Sequence, residues 1–91
     1  MDLKSYLNER GAQTRLAKQI TAQPQLVWQW ANGVKPIPDE RCGAIERASA
    51  GQVTCEEMRP DLVWVRVVDP DWPWHPNGRP LLDLTAEAKA A

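Results

Sequence analysis

The segment 23–32, QPQLVWQWAN, carries the side chains whose chemistry is most informative. Gln25 and Gln29 are four residues apart, so on a helix they share one face. A glutamine amide both donates and accepts hydrogen bonds, which lets it pair with adenine in the major groove of DNA. Trp28 is expected to point away from the core, where its ring can contact a thymine methyl group, a sugar or a partner. We predict that Gln25, Gln29 and Trp28 read bases; solvated glutamines and a tryptophan folded onto the following loop are the alternative.

Basic and amide side chains flank these three residues and predict contacts with the phosphate backbone. Gln23 stands at the expected start of the helix, where its side chain and the free backbone N–H groups can meet a phosphate. Asn32 stands at the expected end of the helix, where it can both cap the helix and contact phosphate. Each basic residue alone is more often a solvated surface charge, but the group together suits a DNA backbone. The predicted phosphate-binding residues are Gln23, Arg15, Lys18, Asn32, Lys35 and Arg41.

Apolar residues between positions 16 and 30 are spaced as two short helices that pack across a tight turn. The small side chain of Ala17 lets the second helix approach the first. The turn falls near Thr21 and Ala22, where helix-turn-helix sequences usually have glycine, because glycine adopts a positive φ without steric cost. We therefore expect either strain at Thr21 or a different turn. The residues expected to pack the two helices together are Leu16, Ala17, Ile20, Leu26, Val27 and Trp30.

Capping residues and prolines predict the other helix boundaries. Helices are expected over 2–10, 12–19, 23–32 and 39–48, with prolines making 34–38 a loop. Pro24 suits the first turn of the third helix, and the fourth is expected to bury Cys42, Ile45 and Ala48. A fifth, short helix should begin after Thr54, because Thr54 and Glu57 form a capping-box pattern, and should end at Pro60.

The segment 62–68, LVWVRVV, is rich in β-branched and aromatic residues and predicts a strand. Prolines then recur through 70–80, which favours extended or turn structure, with a turn at Asn77-Gly78. Three further leucines, Leu81, Leu82 and Leu84, are expected to pack against another part of the protein.

No second strand is predicted, so the strand would have an unpaired edge. A second copy of the chain could pair with this edge, a partner protein such as a toxin could cover it, or the strand and tail could wrap the helical part. The residues assigned to a dimer or partner contact are Trp64, Val65, Val67, Trp72 and Trp74.

The composition is that of one small globular domain: 91 residues, 43% hydrophobic and 25% charged. The net charge of -1 does not favour nucleic-acid binding, but residues 1–38 carry five basic and two acidic side chains, whereas residues 61–91 carry three basic and five acidic. The basic half can therefore face phosphate. No apolar run reaches the roughly 18 residues of a membrane span, and the N-terminus does not resemble a signal peptide. A cytoplasmic protein is expected.

Neither catalysis nor metal binding is predicted. Cys42 and Cys55 are expected to be reduced thiols in the core, because His75 is the single histidine and does not complete a usual zinc set with them. The chain has no Ser-His-Asp arrangement and no glycine-rich phosphate loop. We expect no cofactor and no enzymatic activity.

Two blocks, LAKQITAQPQLVWQWANG at 16–33 and PIPDERCGAIERASAGQVTCEEMRPD at 36–61, resemble known phage regulators. They are similar to the lambda-repressor-like fold and, more specifically, to the YdaS family of Cro-like prophage regulators, which are also described as antitoxins. The resemblance covers about residues 2–62. It implies a five-helix DNA-binding domain, a repressor function and, often, self-association.

Together these observations predict a mainly α protein. Residues 1–61 are expected to form a five-helix lambda-repressor-like helix-turn-helix domain, and residues 62–91 a short strand with a Pro/Trp-rich extended tail for dimerisation or partner binding. The predicted function is sequence-specific DNA binding by a Cro-like prophage repressor, which as a homodimer occludes a near-palindromic double-stranded operator. The alternative is an antitoxin or other interaction module that binds a toxin or another protein through the tryptophan-rich tail.

Overall fold

The computed structural model of the protein describes residues 1–83. Residues 84–91, and with them the predicted packing of Leu84, lie outside the described residues. No helix in the described part is long and apolar enough to cross a membrane. In chain order the elements are α1 (Leu3–Tyr6), α2 (Ala12–Gln19), α3 (Pro24–Ala31), α4 (Asp39–Ala48), α5 (Cys55–Met58), β1 (Trp64–Val67) and β2 (Arg79–Leu82).

The helices pack around one apolar core, and α2 and α3 form its centre. Leu16 and Ala17 of α2 are buried against Val27 and Trp30 of α3, and Ile20 at the end of α2 completes this contact. Five of the six predicted packing positions are thus buried, and the sixth, Leu26, is half-buried against the same core. Their burial removes apolar surface from water, which is the main favourable term in folding.

Helix α1 is shorter than predicted. Asp2 caps it as expected, because its Oδ1 accepts a hydrogen bond from the Ser5 amide at 2.7 Å. The helix nevertheless ends at Tyr6, with Leu7 as its C-cap, and not at residue 10. After Leu7 the next buried residue is Ala12, so no apolar side chain packs a further helical turn onto the core, and the helix stops.

Helices α4 and α5 begin at the predicted positions. Thr54 and Glu57 form the capping box at the start of α5, each side chain bonding to the backbone amide of the other. Cys42 and Cys55 are free thiols in the core, as predicted. Contact with Cys42, together with burial, raises the pKa of the Cys55 thiol and keeps it protonated. Ala48, predicted to be buried, is half-buried.

The prediction of an unpartnered strand is wrong, because β1 pairs with β2 in an antiparallel hairpin. The register places Val65 opposite Leu81 and Arg66 opposite Pro80. Pro80 is tolerated because β2 has a single neighbour in the described sheet and needs no amide on its outer side. The strand itself is shorter than the predicted 62–68. The intervening prolines form turns rather than an extended tail, and the expected turn before Gly78 is present, with the Gly78 amide donating to the His75 carbonyl at 3.2 Å.

A buried arginine ties the hairpin to the helices. Arg66 of β1 donates from Nη1 and Nη2 to the two carboxylate oxygens of Glu46 at 2.7 and 2.6 Å. Arg66 Nη1 also donates to the Gly78 carbonyl at 3.1 Å, and Arg66 Nε donates to Glu56 Oε2 at 3.1 Å. Trp72 Nε1 donates to Glu46 Oε2 at 2.9 Å. One guanidinium thus joins α4, α5 and the end of the loop that precedes β2.

Candidate nucleic-acid interface

Helix α3 buries one face and turns the other outward. Val27 and Trp30 face the core and are buried, because residues three apart lie on the same side of a helix. Gln25 and Trp28 are exposed and Gln29 is half-buried. Trp28 keeps 48% of its surface accessible, which is enough for the ring to contact a second molecule. The three residues predicted to read bases therefore all lie on the outer part of α3.

Gln23 and Asn32 are the residues at the two ends of α3. Gln23, the N-cap, has an extended backbone, and Pro24 occupies the first helical position, where its fixed φ suits a helix. The side chain of Gln23 makes no capping hydrogen bond, so it is not used to hold the helix end. Asn32 caps the other end by donating from Nδ2 to the Trp28 carbonyl at 2.9 Å.

The turn between α2 and α3 has the conformation usually adopted by glycine, with threonine in its place. Thr21 has a φ of +58°, and the Ala22 amide donates to the Ala17 carbonyl at 2.8 Å. This bond closes α2 in the manner of a Schellman motif. The absence of glycine therefore results in backbone strain at Thr21 and not in a different turn.

A shallow groove between α3 and the start of α4 brings together five of the nine side chains predicted to contact DNA. Gln25 and Gln29 line it from α3, and Gln23 lines it from the preceding turn. Lys35 and Arg41 contribute positive charge from the α3–α4 loop and from α4. Amides that can pair with base edges thus lie beside cations that can bind phosphate.

The other four predicted residues lie outside this groove. Trp28 and Asn32 line a second depression on another side of α3. Arg15 and Lys18 are exposed on α2. Arg15 Nη2 lies 3.7 Å from Glu9 Oε2, and an exposed pair of this kind contributes little to stability.

Arg41 differs from the other basic residues because it already binds a backbone carbonyl. Its Nη1 donates to the Ile20 carbonyl at 2.7 Å, in a half-buried position. Ile20 is the C-cap of α2, so this carbonyl has no partner inside the helix. Arg41 therefore links the end of α2 to the first turns of α4.

Two residues that connect separate elements of the helical part were not singled out from the sequence. Gln13 of α2 donates from Nε2 to the Pro24 carbonyl at 2.9 Å and connects the starts of α2 and α3. Arg59 donates from Nη1 to the Ile37 carbonyl at 2.8 Å, while Asp61 accepts from Arg59 Nε and Nη2 at 3.0 and 2.8 Å. The Asp61 carboxylate raises the pKa of Arg59. The close spacing of Arg59 and Asp61 was the one available signal, since the carbonyl partners of Gln13 and Arg59 lie 11 and 22 residues away in sequence.

Comparison with known proteins identifies the family. The model of the family described as "Bacterial toxin YdaS" matches residues 3–67. The chain belongs to the YdaS family. A curated relative, "Putative transcriptional regulator YdaS" of Escherichia coli (strain K12), is 50% identical over 54 residues, which cover 59% of this chain and 55% of the relative. The matched region thus spans about half the length of that relative.

A solved structure shares the fold of this YdaS-family chain. It is described as "Structure of the Cro protein from putative prophage element Xfaso 1 in Xylella fastidiosa strain Ann-1" and is 31% identical, with a TM-score of 0.58. The match covers 69% of this chain and 97% of that one. The helical helix-turn-helix architecture is therefore that of a Cro protein, as the sequence predicted.

The hairpin of this family member turns its tryptophans towards the protein and its valines outward. All three tryptophans are half-buried. Trp64 Nε1 donates to the Arg59 carbonyl, and Trp72 Nε1 donates to Glu46. The guanidinium carbon of Arg47 lies 5.8 Å from the centre of the Trp74 ring. Three of the five residues assigned to a dimer or partner contact, the tryptophans, are thus half-buried within the chain. Val65, Val67 and Leu81 are exposed and lie on the outer face of the hairpin.

The described residues contain no cluster of three or more His, Cys, Asp or Glu side chains that could hold a metal ion.

The acidic side chains of α5 are engaged with other residues. Glu56 is paired with Arg66, which lowers the pKa of its carboxyl. Glu57 closes the capping box and lies 2.7 Å from the N-terminal amine of Met1.

Proposed function

We propose that this chain is a sequence-specific DNA-binding regulator of transcription that inserts α3 into the major groove. The observation that carries the proposal is the groove beside α3, in which Gln25 and Gln29 lie next to Lys35 on the side opposite the buried Val27. The names of the two matched proteins, a transcriptional regulator and a Cro protein, support the same function.

Base reading is assigned to the outer side chains of α3. Gln25 and Gln29 are one helical turn apart, so they would address neighbouring base pairs, and each amide can pair with the N6 and N7 atoms of adenine. The exposed ring of Trp28 would lie against a thymine methyl group or a sugar. A good bidentate pair contributes about 1–3 kcal/mol of discrimination between bases.

Phosphate binding is assigned to residues on both sides of the recognition helix. Gln23 and Lys35 line the groove, while Arg15 and Lys18 are exposed on α2. Asn32 has one amide hydrogen bonded to the Trp28 carbonyl, and its second N–H is positioned by this contact. Such contacts release counterions, so binding should weaken steeply as salt is raised.

Repression by operator occlusion is the mode of action that we propose for a homodimer of this chain. Two recognition helices about 34 Å apart would bind successive turns of the same face of DNA and select a near-palindromic site. Val65, Val67 and Leu81 form the exposed apolar face through which a second copy would pack. A bound dimer would then exclude polymerase or a competing regulator.

The test is selection of binding sites from genomic fragments, followed by gel shift of the purified chain at two salt concentrations. The expected result is one preferred sequence, bound in the presence of competitor DNA and weakened by salt. A uniform weak shift on all fragments, or none, would refute specific recognition. The spacing of half-sites in the selected sequence separately reports whether two recognition helices bind together.

A second candidate function is binding of a partner protein in a toxin–antitoxin pair. It is favoured by the family description, which names a toxin, and by the exposed Val65, Val67 and Leu81. The tryptophans predicted to bind the partner are less suited to this role, because Trp64 and Trp72 are engaged in hydrogen bonds within the chain. A hairpin variant that loses a protein partner but keeps DNA selection would support this candidate.

A further inference from the structure

Arg41 was predicted from the sequence to bind phosphate, but its position in the structure indicates another role. Its Nη1 is 2.7 Å from the Ile20 carbonyl, one residue before the left-handed Thr21. Lys35 borders the same groove and is exposed, whereas Arg41 is half-buried. The two cations on this side of α3 therefore differ in what they contact.

The backbone at the helix-turn-helix turn needs support from outside α2. A β-branched residue in the left-handed region is strained, and Thr21 has a φ of +58°. The Ile20 carbonyl, at the C-cap of α2, also carries the partial negative charge of the helix end. A guanidinium that donates to this carbonyl satisfies the open acceptor and stabilises the helix dipole at the same point.

We propose that Arg41 is a positioning residue for DNA reading: it braces the strained turn at Thr21 and so fixes the direction in which α3 leaves α2. This inference rests on the proposed DNA-binding function. The turn is followed directly by Gln23 and Pro24, so a change in its backbone would swing Gln25 and Gln29 relative to α2 and α4. The phosphate contact on this side of α3 then belongs to Lys35.

A comparison of Arg41→Gln with Lys35→Gln separates positioning from phosphate binding. Each substitution removes one positive charge from the same groove. Loss of a phosphate contact should reduce the magnitude of the negative slope of log K against log salt by about 0.9. We expect this change for Lys35→Gln. For Arg41→Gln we expect about a tenfold loss of affinity, typical of a lost charged hydrogen bond, with an unchanged slope.

A second comparison tests the connection to Thr21. Glycine adopts the left-handed conformation without strain, so Thr21→Gly should remove most of the need for the brace. We expect Arg41→Gln to cost about tenfold in affinity in the native background but less than about threefold in the Thr21→Gly background, a coupling typical of residues that share a contact network. Equal losses in both backgrounds would overturn the proposal.

Amide hydrogen exchange of the free protein supplies a readout that needs no DNA. The Ala22 amide is bonded to the Ala17 carbonyl within the turn, so its exchange reports whether the turn stays closed. Arg41→Gln should accelerate exchange at Ala22 several-fold, and Lys35→Gln should not. Unchanged exchange in Arg41→Gln, or a salt slope that loses as much magnitude as it does in Lys35→Gln, would overturn the positioning role. If the native chain selected no DNA, the proposed function would fail and the DNA part of this inference with it, while exchange at Ala22 would still decide whether Arg41 braces the turn.

Discussion

Arg66 and Glu46 form a two-point ion pair inside the protein, with Arg66 Nη1 and Nη2 at 2.7 and 2.6 Å from the two oxygens of Glu46. The Glu46 side chain is fully buried and that of Arg66 is 8% exposed. The Cys55 amide and Trp72 Nε1 supply two more donors to the same carboxylate. The charge of Glu46 is therefore fully bonded, and removal of its main partner would leave it buried without compensation.

Loss of Arg66 should destabilise the fold severely. Breaking a buried pair by removing one partner typically lowers the free energy of unfolding by about 3–5 kcal/mol. We expect Arg66→Met to show a loss of this size in urea denaturation at neutral pH. Arg79→Met is the matched control on the facing strand, because Arg79 Nε lies 3.4 Å from Asp69 Oδ2 in a much more exposed pair. The loss of stability in Arg79→Met should stay below about 1 kcal/mol. Similar losses in both variants would contradict the prediction that the buried pair stabilises the fold more than the exposed pair.

Stability should decline in acid through the same cluster. Burial of Glu46 opposes its ionisation, but hydrogen bonds from Arg66, the Cys55 amide and Trp72 outweigh this effect and lower its pKa. The pKa of Glu56 is also lowered, first by its hydrogen bond with Arg66. A carboxyl with a lower pKa in the folded state stabilises fully above its unfolded value, here near 4.5. This contribution is lost as the pH falls through the folded-state pKa.

We therefore expect the free energy of unfolding to be level above about pH 5.5 and to fall steadily towards pH 3. Urea titrations across this range measure the slope. Glu56→Gln removes one of the two carboxyls and should reduce the slope below pH 4.5 without abolishing it. If the stability of the native protein did not change between pH 6 and pH 3, ionised Glu46 and Glu56 would not be stabilising the fold.

The centre of the fold was predictable because its signals are local. Apolar spacing located the contact between α2 and α3, and Pro24 and the pair Thr54 and Glu57 located two helix starts. These features depend on residues a few positions apart. The same applies to Thr21, whose deviation from the usual glycine indicated strain before the structure showed its positive φ.

The hairpin was not predictable in the same way, because its partners are distant in sequence. Pro80 disfavours a strand, and only the edge position of β2 allows it to pair with Arg66. Gly78 is required where the chain enters β2, since its φ is +100° and a Cβ there would collide with the Val67 carbonyl. For Glu46 a signal did exist. It follows Cys42 by four residues and Ile45 by one, which places a charged residue on the buried face of α4.

The outward face of α3 was predictable once its buried positions were known, but the contacts of the nearby cations were not. Sequence alone treats Lys35 and Arg41 as equivalent charges beside a helix. The structure distinguishes them, because Arg41 reaches the Ile20 carbonyl, 21 positions earlier in the chain. Only the folded chain brings that acceptor within reach.

Thr21→Gly should stabilise the protein. Removing the strain of a left-handed β-branched residue raises the free energy of unfolding by about 1–3 kcal/mol. The extra flexibility of glycine in the unfolded chain lowers it by about 0.5–1 kcal/mol. We expect a net gain of about 1 kcal/mol in urea denaturation. Ala50→Gly is the matched comparison, because Ala50 follows α4 with a φ of +54° but is not β-branched. A smaller gain at Ala50 than at Thr21 is expected, and a loss of stability in Thr21→Gly would contradict strain at this turn.

A charge on the outer face of the hairpin should disrupt the proposed homodimer. Val65 is 42% exposed and lies opposite Leu81, so Val65→Glu would bring a carboxylate into the apolar contact without disturbing the core. We expect the dimer dissociation constant in analytical ultracentrifugation to rise at least tenfold, about 1.4 kcal/mol. Val34→Glu, at an exposed position on the α3–α4 loop, should leave it unchanged. If both variants remain dimeric, the hairpin face is not the contact between copies.

The pair Gln25 and Gln29 should be required for choice of sequence but not for folding. The double variant Gln25→Ala, Gln29→Ala removes two amides on the outer side of α3, one exposed and one half-buried, so unfolding in urea should change by less than about 1 kcal/mol. Loss of two bidentate base contacts at about 1–3 kcal/mol each predicts a loss of specific affinity of at least thirtyfold, while weak binding to random DNA and its salt slope persist. Gln52→Ala, at an exposed position between α4 and α5, is the control and should select the same sequence as the native chain. If the double variant still selected the native site, α3 would not be the element that reads the bases.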